Sequence, residues 1–324
     1  PPEPGDLVLE ADDVSVSYAE RNERRQLHAV TNLDLKLQAG ETVAVVGESG
    51  SGKSSFVRAV LGLVPMRAGR VAFCGQDIAG PVQARAIETR RDLQLVFQDP
   101  AGSLNPQLRI ERIIAEPLTV HAPELDAKAR SERVADALQR VGLDEELLNR
   151  FPHQLSGGQA QRVAIARALI VNPRVLVCDE AVAALDGSVR QQILGLLQRE
   201  QRATGLAIVF ISHDLAVVRS ISHRVMVLYL GRLVERADGA GIFRHPRHPY
   251  TRALLDAVPV PDPVAPGGKL SLGGEMPSII DPPPGCAFHP RCRFAIERCR
   301  VELPPARLVG EARVACHRAE ELES

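Results

Sequence analysis

The sequence predicts an α/β fold with a mostly parallel sheet core, an antiparallel β layer, a helical insertion and a small irregular C-terminal region that is rich in cysteine. Apolar runs of strand length alternate with amphipathic segments. A glycine-rich loop joins one such strand to a helix, and four of the six cysteines follow a Pro- and Gly-rich stretch over residues 259–285. A length of 324 residues with 45% hydrophobic content suits one large domain with an appendage, or two modest domains.

Composition argues against several classes of protein. With a formal net charge of −1, 3% aromatic residues and no Trp, the sequence offers neither the basic field nor the stacking platforms of a nucleic-acid-binding protein. No apolar run approaches the ~18 residues of a membrane helix, and the N-terminus shows no signal-peptide pattern. Because the chain starts without Met, we expect it to be trimmed or to be half of a longer polypeptide. We expect a cytosolic protein that reaches the membrane through a partner.

The N-terminal segment predicts the antiparallel layer. LVLEADDVSVSY and LDLKLQAGE, within residues 7–40, show period-2 alternation with turn residues between them. Tyr18 ends the first of these runs. A lone aromatic residue there is either part of the core or a surface on which an adenine ring could stack.

The stretch GESGSGKSS, from Gly47 to Ser55, matches the phosphate-binding loop G-x-x-x-x-G-K-[ST]. The apolar run TVAVV precedes it and the helical pattern FVRAVLGLV follows, so a glycine-rich turn without a ligand is the weaker alternative. Backbone N–H groups and the helix N-terminus would surround a polyphosphate. Lys53 would reach the β- and γ-phosphates, and the Ser54 hydroxyl would bind Mg²⁺. The nucleotide-binding residues predicted here are Gly47, Ser49, Gly50, Ser51, Gly52, Lys53, Ser54 and Ser55.

The middle of the chain predicts a helical insertion in a parallel sheet. Strand-like runs at residues 70–74 and 92–97 precede residues 107–151, where apolar positions recur at helical spacing. LSGGQAQRVAIARALIV predicts an amphipathic helix that Asn172-Pro173 stops. RVLVCDE then predicts a buried strand, and we expect GLAIVFISHDLAVVRS and HRVMVLYLGRLVE to form two further strand–helix units.

Polar residues at predicted strand ends suit phosphoryl chemistry. Asp179 would hold Mg²⁺, and Glu180 would act as the general base on the attacking water, unless the pair simply caps the next helix. Gln98 could reach metal and water, and His213 could bond the γ-phosphate. The carboxyl ends of parallel strands meet at one edge of a sheet, so we expect these groups to converge with the phosphate loop.

LSGGQ, from Leu155 to Gln159, predicts a second anion site. Ser156 and the amides of Gly157 and Gly158 would open a helix N-terminus. Two anion sites on one chain indicate a head-to-tail pair of ATPase domains, each closing over the nucleotide of the other.

GESGSGKS, FQDP, LSGGQ, VLVCDE, ALD at residues 184–186 and SHD, in this order, resemble the nucleotide-binding subunit of ABC transporters. The resemblance covers roughly residues 7–258 and implies a P-loop ABC ATPase that uses ATP and Mg²⁺. It implies that Tyr18 stacks on adenine and that Gln98 senses Mg²⁺ and couples to the membrane subunits. It also implies that Ser156, Gly158 and Gln159 contact the partner's ATP and that His213 is the γ-phosphate switch.

One departure from the family pattern lies beside the catalytic carboxylate. Relatives usually have Pro or Val and Ser where this chain has Ala181 and Ala183. Ala183 lacks a hydroxyl near the expected subunit seam, so coupling between the two nucleotide sites is in question, whereas Glu180 is intact.

RHPYTRALLDAVP followed by a cysteine-bearing tail resembles the oligopeptide/dipeptide importer ATPases, whose relatives also handle nickel and other small solutes. This implies a cassette of residues 1–258, with a helical subdomain at about 99–173, and an extension of residues 259–324. The implied partners are a second ATPase domain, two transmembrane permease subunits and an extracytoplasmic peptide-binding protein, at the cytoplasmic face of the membrane. A soluble ABC-type ATPase acting on nucleic acid or ribosomes is the alternative, but no coiled coil, second cassette or basic arm is present in the sequence.

The clustered thiols predict a metal site. Disulfides are disfavoured in a cytosolic chain. Spacings of 5, 6 and 16 intervening residues leave zinc and an iron–sulfur cluster equally open, with free thiols as the weaker alternative. Resemblance to the peptide-importer tail favours a [4Fe–4S] cluster, with Zn²⁺ as the alternative. The predicted ligands are Cys286, Cys292, Cys299 and Cys316. Cys74 and Cys178 lie in apolar runs and are expected in the core.

Overall fold

A computed structural model of the chain describes residues 5–19, 26–183, 185–257 and 273–322. It divides into two compact units. The first comprises the described residues of Pro1–Glu10, Lys36–Glu41 and Ala72–Ile211, and the second those of Ala11–Leu35, Thr42–Val71 and Ser212–Ser324. The domain boundary predicted at residue 258 and Ala184 of the ALD motif lie outside the described residues. No helix in the described ranges is both long and apolar enough to cross a membrane.

The secondary structure follows the alternation expected of an α/β chain. The strands are β1 Leu7–Ala19, β2 Gln26–Gln38, β3 Thr42–Val46, β4 Ala68–Phe73, β5 Gln76–Asp77, β6 Leu93–Val96, β7 Val175–Asp179, β8 Ala207–Ile211, β9 Arg224–Tyr229, β10 Arg232–Asp238, β11 Arg307–Val309 and β12 Ala312–Val314. The helices are α1 Lys53–Val60, α2 Ile87–Asp92, α3 Pro100–Ser103, α4 Ile110–His121, α5 Ala127–Arg140, α6 Gly157–Leu169, α7 Gly187–Thr204, α8 Leu215–Ile221, α9 Gly239–Arg244, α10 Pro249–Asp256 and α11 Glu297–Val301. Short 3₁₀ turns lie at Val82–Ala84, Glu145–Asn149, Pro152–Gln154 and His289–Arg291.

The first unit contains three parallel sheet strands in the order β6-β7-β8. Leu93 pairs with Val175, and Val175 pairs with Ala207. Every residue of β7 and β8 is buried, as expected of parallel strands that are covered on both faces. Since β6 and β7 run side by side in the same direction, Gln98 and Glu180 follow neighbouring strands at the same edge of this sheet.

The helical insertion predicted over residues 107–151 is present in the first unit. Helices α4 and α5 pack on each other and on α6. The apolar positions read from the sequence are the buried ones, including Ile113 on α4, Leu138 on α5 and Val163 on α6. Asp126 caps α5 by accepting a hydrogen bond from the Ala129 N–H at 2.8 Å.

The second unit contains five sheet strands in the order β11-β12-β10-β9-β3. Strands β3 and β9 are parallel, whereas β9 and β10 form an antiparallel hairpin in which Tyr229 pairs with Arg232. The prediction of a strand–helix unit for HRVMVLYLGRLVE is therefore wrong. Leu230 and Gly231 form a two-residue turn with φ of +45° and +73°, which is the backbone geometry that hairpin turns require. Gly231 is a residue type that such turns favour, whereas Leu230 is not, so only half of this turn was indicated by the sequence.

A further sheet has the order β2-β1-β4-β5, and its β4–β5 pair is antiparallel. Strand β2 begins at Gln26, before the run LDLKLQAGE. Cys74 and Gly75 form the turn between β4 and β5, with φ of +48° and +78°. The prediction that Cys74 belongs to the core is wrong, because the strand ends one residue earlier and leaves Cys74 exposed. Cys178 is fully buried in β7, and burial raises the pKa of its thiol to about 12.

Candidate active site

The stretch Gly47–Ser55 links β3 to α1, which starts at Lys53. The loop uses positive φ at three glycines, +152° at Gly47, +79° at Gly50 and +98° at Gly52. Close backbone contact also excludes side chains, because a Cβ on Gly47 would lie 2.3 Å from the Leu228 carbonyl oxygen and one on Gly52 would lie 2.4 Å from that of Ala29. The strand–loop–helix form of the motif is therefore present, with its backbone turned tightly ahead of a helix N-terminus.

Lys53 places its ammonium inside this loop. Lys53 is only 5% exposed. Its Nζ donates to the carbonyl oxygens of Gly47 at 2.8 Å and Glu48 at 2.9 Å. A third contact joins Nζ to Ser51 Oγ at 3.4 Å. A desolvated ammonium beside the N-terminus of α1 provides the electrostatics of a phosphate site.

Tyr18 is brought to the same loop. Its ring is half-buried, and its hydroxyl donates to Ser55 Oγ at 3.2 Å. The residue is therefore not an ordinary core aromatic, because part of it remains open beside the loop. Its stacking on adenine stays a prediction.

The acidic end of β7 has the chemistry expected of a catalytic edge. Asp179 is 2% exposed, and Glu180 has φ of +49°, a strained conformation for a residue with a side chain. Gln98 Nε2 donates to Glu180 Oε2 at 2.8 Å. The next helix, α7, starts at Gly187 and is capped by Asp186, which accepts from the Ser188 and Val189 N–H groups. The interpretation of Asp179 and Glu180 as a helix cap is thus wrong.

LSGGQ opens α6 through a reciprocal capping box. The Ser156 N–H donates to Gln159 Oε1 at 3.0 Å, and the Gln159 N–H donates to Ser156 Oγ at 3.3 Å. Ser156 and Gly157 are exposed. Gly158 has no room for a side chain, because a Cβ there would lie 2.8 Å from Cγ1 of Val189. The start of α6 is therefore capped, and it is exposed to solvent at Ser156 and Gly157.

His213 follows β8 and is exposed. The residues on either side of it are hydrogen-bonded. The Ser212 N–H donates to the Val45 carbonyl oxygen at 3.3 Å, and the Asp214 side chain caps α8. The second unit therefore holds His213, Tyr18 and the phosphate-binding loop. The first unit holds Gln98, the Asp179–Glu180 pair and LSGGQ.

The sequence did not reveal which contacts RHPY, residues 247–250, makes in the fold. His248 Nδ1 accepts the Tyr250 N–H at 3.0 Å, and the Glu235 carboxylate accepts the N–H groups of Arg247 and His248 at 2.7 and 2.9 Å. Burial lowers the pKa of His248 to about 3, so its imidazole is a neutral acceptor. The Tyr250 hydroxyl in turn accepts the backbone N–H of Glu48, within the phosphate-binding loop, at 2.8 Å.

The four C-terminal cysteines line one small cavity of about 10 Å³, together with residues that include Phe294 and His317. Burial raises the pKa of Cys286 to about 12 and that of Cys292 to about 11. The prediction that these thiols lie together is consistent with this cavity. In the part of the chain that the structure describes, however, no group of three or more His, Cys, Asp or Glu residues is placed to hold a metal ion.

The α/β fold and these local features define an ATP-binding cassette. The features are a phosphate-binding loop, a carboxylate pair at the end of a buried strand and an exposed helix start with the sequence LSGGQ. A family model for ABC transporters matches residues 30–183, and a model for the oligopeptide/dipeptide transporter C-terminal region matches residues 234–299. A solved dimeric ATP-binding cassette, bound to ADP and Pi after hydrolysis, is 30% identical with a TM-score of 0.64 and covers 71% of this chain and 98% of its own.

Curated relatives extend this similarity over nearly the whole chain. The oligopeptide transport ATP-binding protein OppF of Haemophilus influenzae is 45% identical, over 93% of both chains. OppF of Escherichia coli is 46% identical over 92% of both, and the di/tripeptide transport ATP-binding protein DppF of Pseudomonas aeruginosa is 45% identical over 91% of both. The chain belongs to the ATP-binding proteins of the oligopeptide/dipeptide ABC transporter family. It is an ABC ATPase whose hydrolysis of ATP is coupled to transport.

Proposed function

We propose that this chain powers the import of di- and oligopeptides across the cytoplasmic membrane. The observation that carries the proposal is the match of residues 234–299 to the oligopeptide/dipeptide transporter C-terminal region. RHPY lies in this region, and its Tyr250 hydroxyl accepts a hydrogen bond from the backbone N–H of Glu48 in the phosphate-binding loop. The part of the sequence that matches the oligopeptide/dipeptide transporter region thus contacts that loop. We further propose a cassette of residues 1–258 with an extension of residues 259–324.

The residues fit the chemistry of ATP hydrolysis with Mg²⁺. Ser54, Gln98 and Asp179 offer a hydroxyl, an amide and a carboxylate oxygen, which are the ligands that Mg²⁺ prefers. The metal would neutralise charge on the phosphates. Lys53 and the loop glycines would hold those phosphates, Tyr18 would stack on adenine, and His213 would hydrogen-bond the γ-phosphate.

Glu180 is the proposed general base. The hydrogen bond from Gln98 Nε2 to Glu180 Oε2, at 2.8 Å, orients the carboxylate. In this role Glu180 would accept a proton from the attacking water. The strained backbone at Glu180 supports the assignment, because such strain is concentrated at functional sites.

The proposed assembly places this chain at the cytoplasmic face of the membrane. Ser156, Gly157, Gly158 and Gln159 would contact ATP held by a second ATPase domain, and the exposed start of α6 supports this role. The remaining partners are two permease subunits and an extracytoplasmic peptide-binding protein, as the transporter family implies.

Transport by reconstituted vesicles tests the proposed substrate. With the permease subunits that co-purify from native membranes and Mg-ATP, we expect uptake of labelled peptides by the unsubstituted chain. We expect none with Lys53→Ala, because the loop loses its buried ammonium. ATP-dependent uptake of nickel without uptake of peptides would overturn the peptide assignment while leaving the ATPase intact.

We propose that Cys286, Cys292, Cys299 and Cys316 bind a [4Fe–4S] cluster, with Zn²⁺ as the second candidate. Their lining of a single cavity supports a shared ligand, and binding would require the thiols to lose their protons. Protein purified without oxygen should contain about four irons and four sulfides per chain. Cys299→Ser should lose them and the exposed-thiol control Cys74→Ser should not. A chain that contains zinc and no iron would identify Zn²⁺ as the bound metal instead of the cluster. A folded chain that contains no metal would contradict both candidates.

A further inference from the structure

Glu48, the second residue of the phosphate-binding loop, is held by side chains from far along the chain. Arg291 Nη1 and Nη2 donate to Glu48 Oε1 and Oε2 at 2.9 and 3.1 Å. The Glu48 N–H donates to the Tyr250 hydroxyl at 2.8 Å. Both the carboxylate and the backbone of this loop residue are therefore fixed from the C-terminal part of the second unit.

The Arg291 side chain is buried and hydrogen-bonded to several groups. It is 5% exposed, against 27% for the Glu48 side chain. Nε donates to the Gly273 carbonyl oxygen at 3.0 Å, and Nη1 also lies 3.4 Å from the Tyr229 hydroxyl. Burial alone would lower the pKa of Arg291, but its hydrogen bonds to Glu48 and Tyr229 raise it overall, so the guanidinium stays charged. Such a paired, fork-like contact fixes orientation as well as distance.

The aromatic side chains around this ion pair are buried and packed against one another. Tyr229, Tyr250 and Phe288 are 0%, 0% and 3% exposed and contact one another, with ring centroids 4.7 to 5.3 Å apart. Met276 approaches the loop at another point, where a Cβ on Gly50 would lie 3.1 Å from its Cε. The C-terminal region thus contacts the phosphate-binding loop at both Glu48 and Gly50.

Glu48 connects this region to the loop's ammonium. Its carbonyl oxygen accepts a hydrogen bond from Lys53 Nζ at 2.9 Å, so a shift of the Glu48 backbone shifts a partner of Lys53. A loop held in one conformation before binding loses less freedom when the ligand binds.

We propose that Arg291 is a positioning residue for nucleotide binding, which acts through Glu48 to hold the phosphate-binding loop in its receptive conformation. The inference rests on the proposed role of Gly47–Ser55 as the phosphate site. It makes ATP affinity dependent on the C-terminal region, which contributes no atom to the loop itself.

Equilibrium binding of Mg-ATP to the full chain tests the proposal, with thermal unfolding measured on each variant. We expect Arg291→Gln to weaken ATP binding about tenfold, since a charged hydrogen-bonding partner of the loop is lost. Arg291→Lys, which keeps the charge but not the fork, should fall between this variant and the unsubstituted chain. Arg298→Gln is the matched control, because Arg298 on α11 forms a similar but exposed pair with Glu302 at 2.6 and 2.7 Å.

Glu48→Gln separates positioning from simple charge attraction. Removing a negative charge near the phosphates would tighten ATP binding if Coulomb forces alone mattered. The positioning role predicts weaker binding, because the amide cannot replace the paired carboxylate contacts. Wild-type or tighter ATP affinity in folded Glu48→Gln would overturn the proposal, even if Arg291→Gln does not fold. Failure of the unsubstituted chain to bind ATP would instead overturn the proposed phosphate site on which it rests.

Discussion

Replacement of Glu180 by Gln will abolish ATP hydrolysis while ATP remains bound. A general base contributes at least about a hundredfold to rate, and the amide cannot accept the proton. The substitution is nearly isosteric, and the Gln98 amide that donates to Glu180 at 2.8 Å can still donate to the new amide oxygen. Phosphate release from Mg-ATP, with bound nucleotide measured in parallel, is the assay.

The matched control for this substitution is Glu132→Gln, the same change on the exposed face of helix α5, where the carboxylate lies in a weak surface pair with Lys128. We expect its hydrolysis rate to equal that of the unsubstituted chain. Hydrolysis by Glu180→Gln at the rate of this control would show that another group takes the proton. In vesicles, the same variant should also stop peptide uptake.

The positions of Gln98 and Glu180 at one sheet edge were predictable, because each residue follows a local signal. RVLVCDE is a buried strand with carboxylates at its end, and Gln98 follows another strand. Parallel pairing of the two strands then leaves little choice about where Gln98 and Glu180 meet. The structure adds the hydrogen bond between them and the strained backbone of Glu180, neither of which has a signature in the sequence.

The contacts that the sequence did not predict depend on long-range packing or on backbone conformation. Glu48 lies 202 positions from Tyr250 and 243 from Arg291, so no periodicity or spacing connects them. RHPY was recognised in the sequence as a motif of the family. The sequence did not show that these residues take part in a buried network of tertiary hydrogen bonds. The β9–β10 hairpin was missed because Leu230, a residue that rarely adopts positive φ, occupies half of its turn.

The cysteines show the same limit. Their grouping late in the chain predicted that they would lie near one another, and they line one cavity. Their side-chain geometry depends on the irregular turns around them, and spacing alone does not fix which ligand they bind. Cys74 shows how one residue decides burial, because β4 ends at Phe73 and the next residue enters an exposed turn.

A negative charge at Ser156 will prevent the ATP-dependent pairing of two ATPase domains. Asp is as good a helix cap as Ser, so Ser156→Asp should preserve the capping box of α6 and add only the charge. If Ser156 contacts the γ-phosphate held by the other domain, like charges at about 4 Å in a partly buried site repel by about 4 kcal/mol. The dissociation constant of the pair should then rise by more than about a hundredfold.

Ser156→Asn is the control, because Asn caps helices equally well without charge. Light scattering in the Glu180→Gln background, with Mg-ATP, measures pairing with a second copy or with the ATPase domain that co-purifies. We expect a pair when Ser156 is retained, a weaker pair with Ser156→Asn, and none with Ser156→Asp. Equal pairing by the Asp and Asn substitutions would place the exposed start of α6 away from the bound nucleotide. Since α6 would remain capped in both, that result could not be attributed to a lost helix and would contradict the shared-nucleotide arrangement itself.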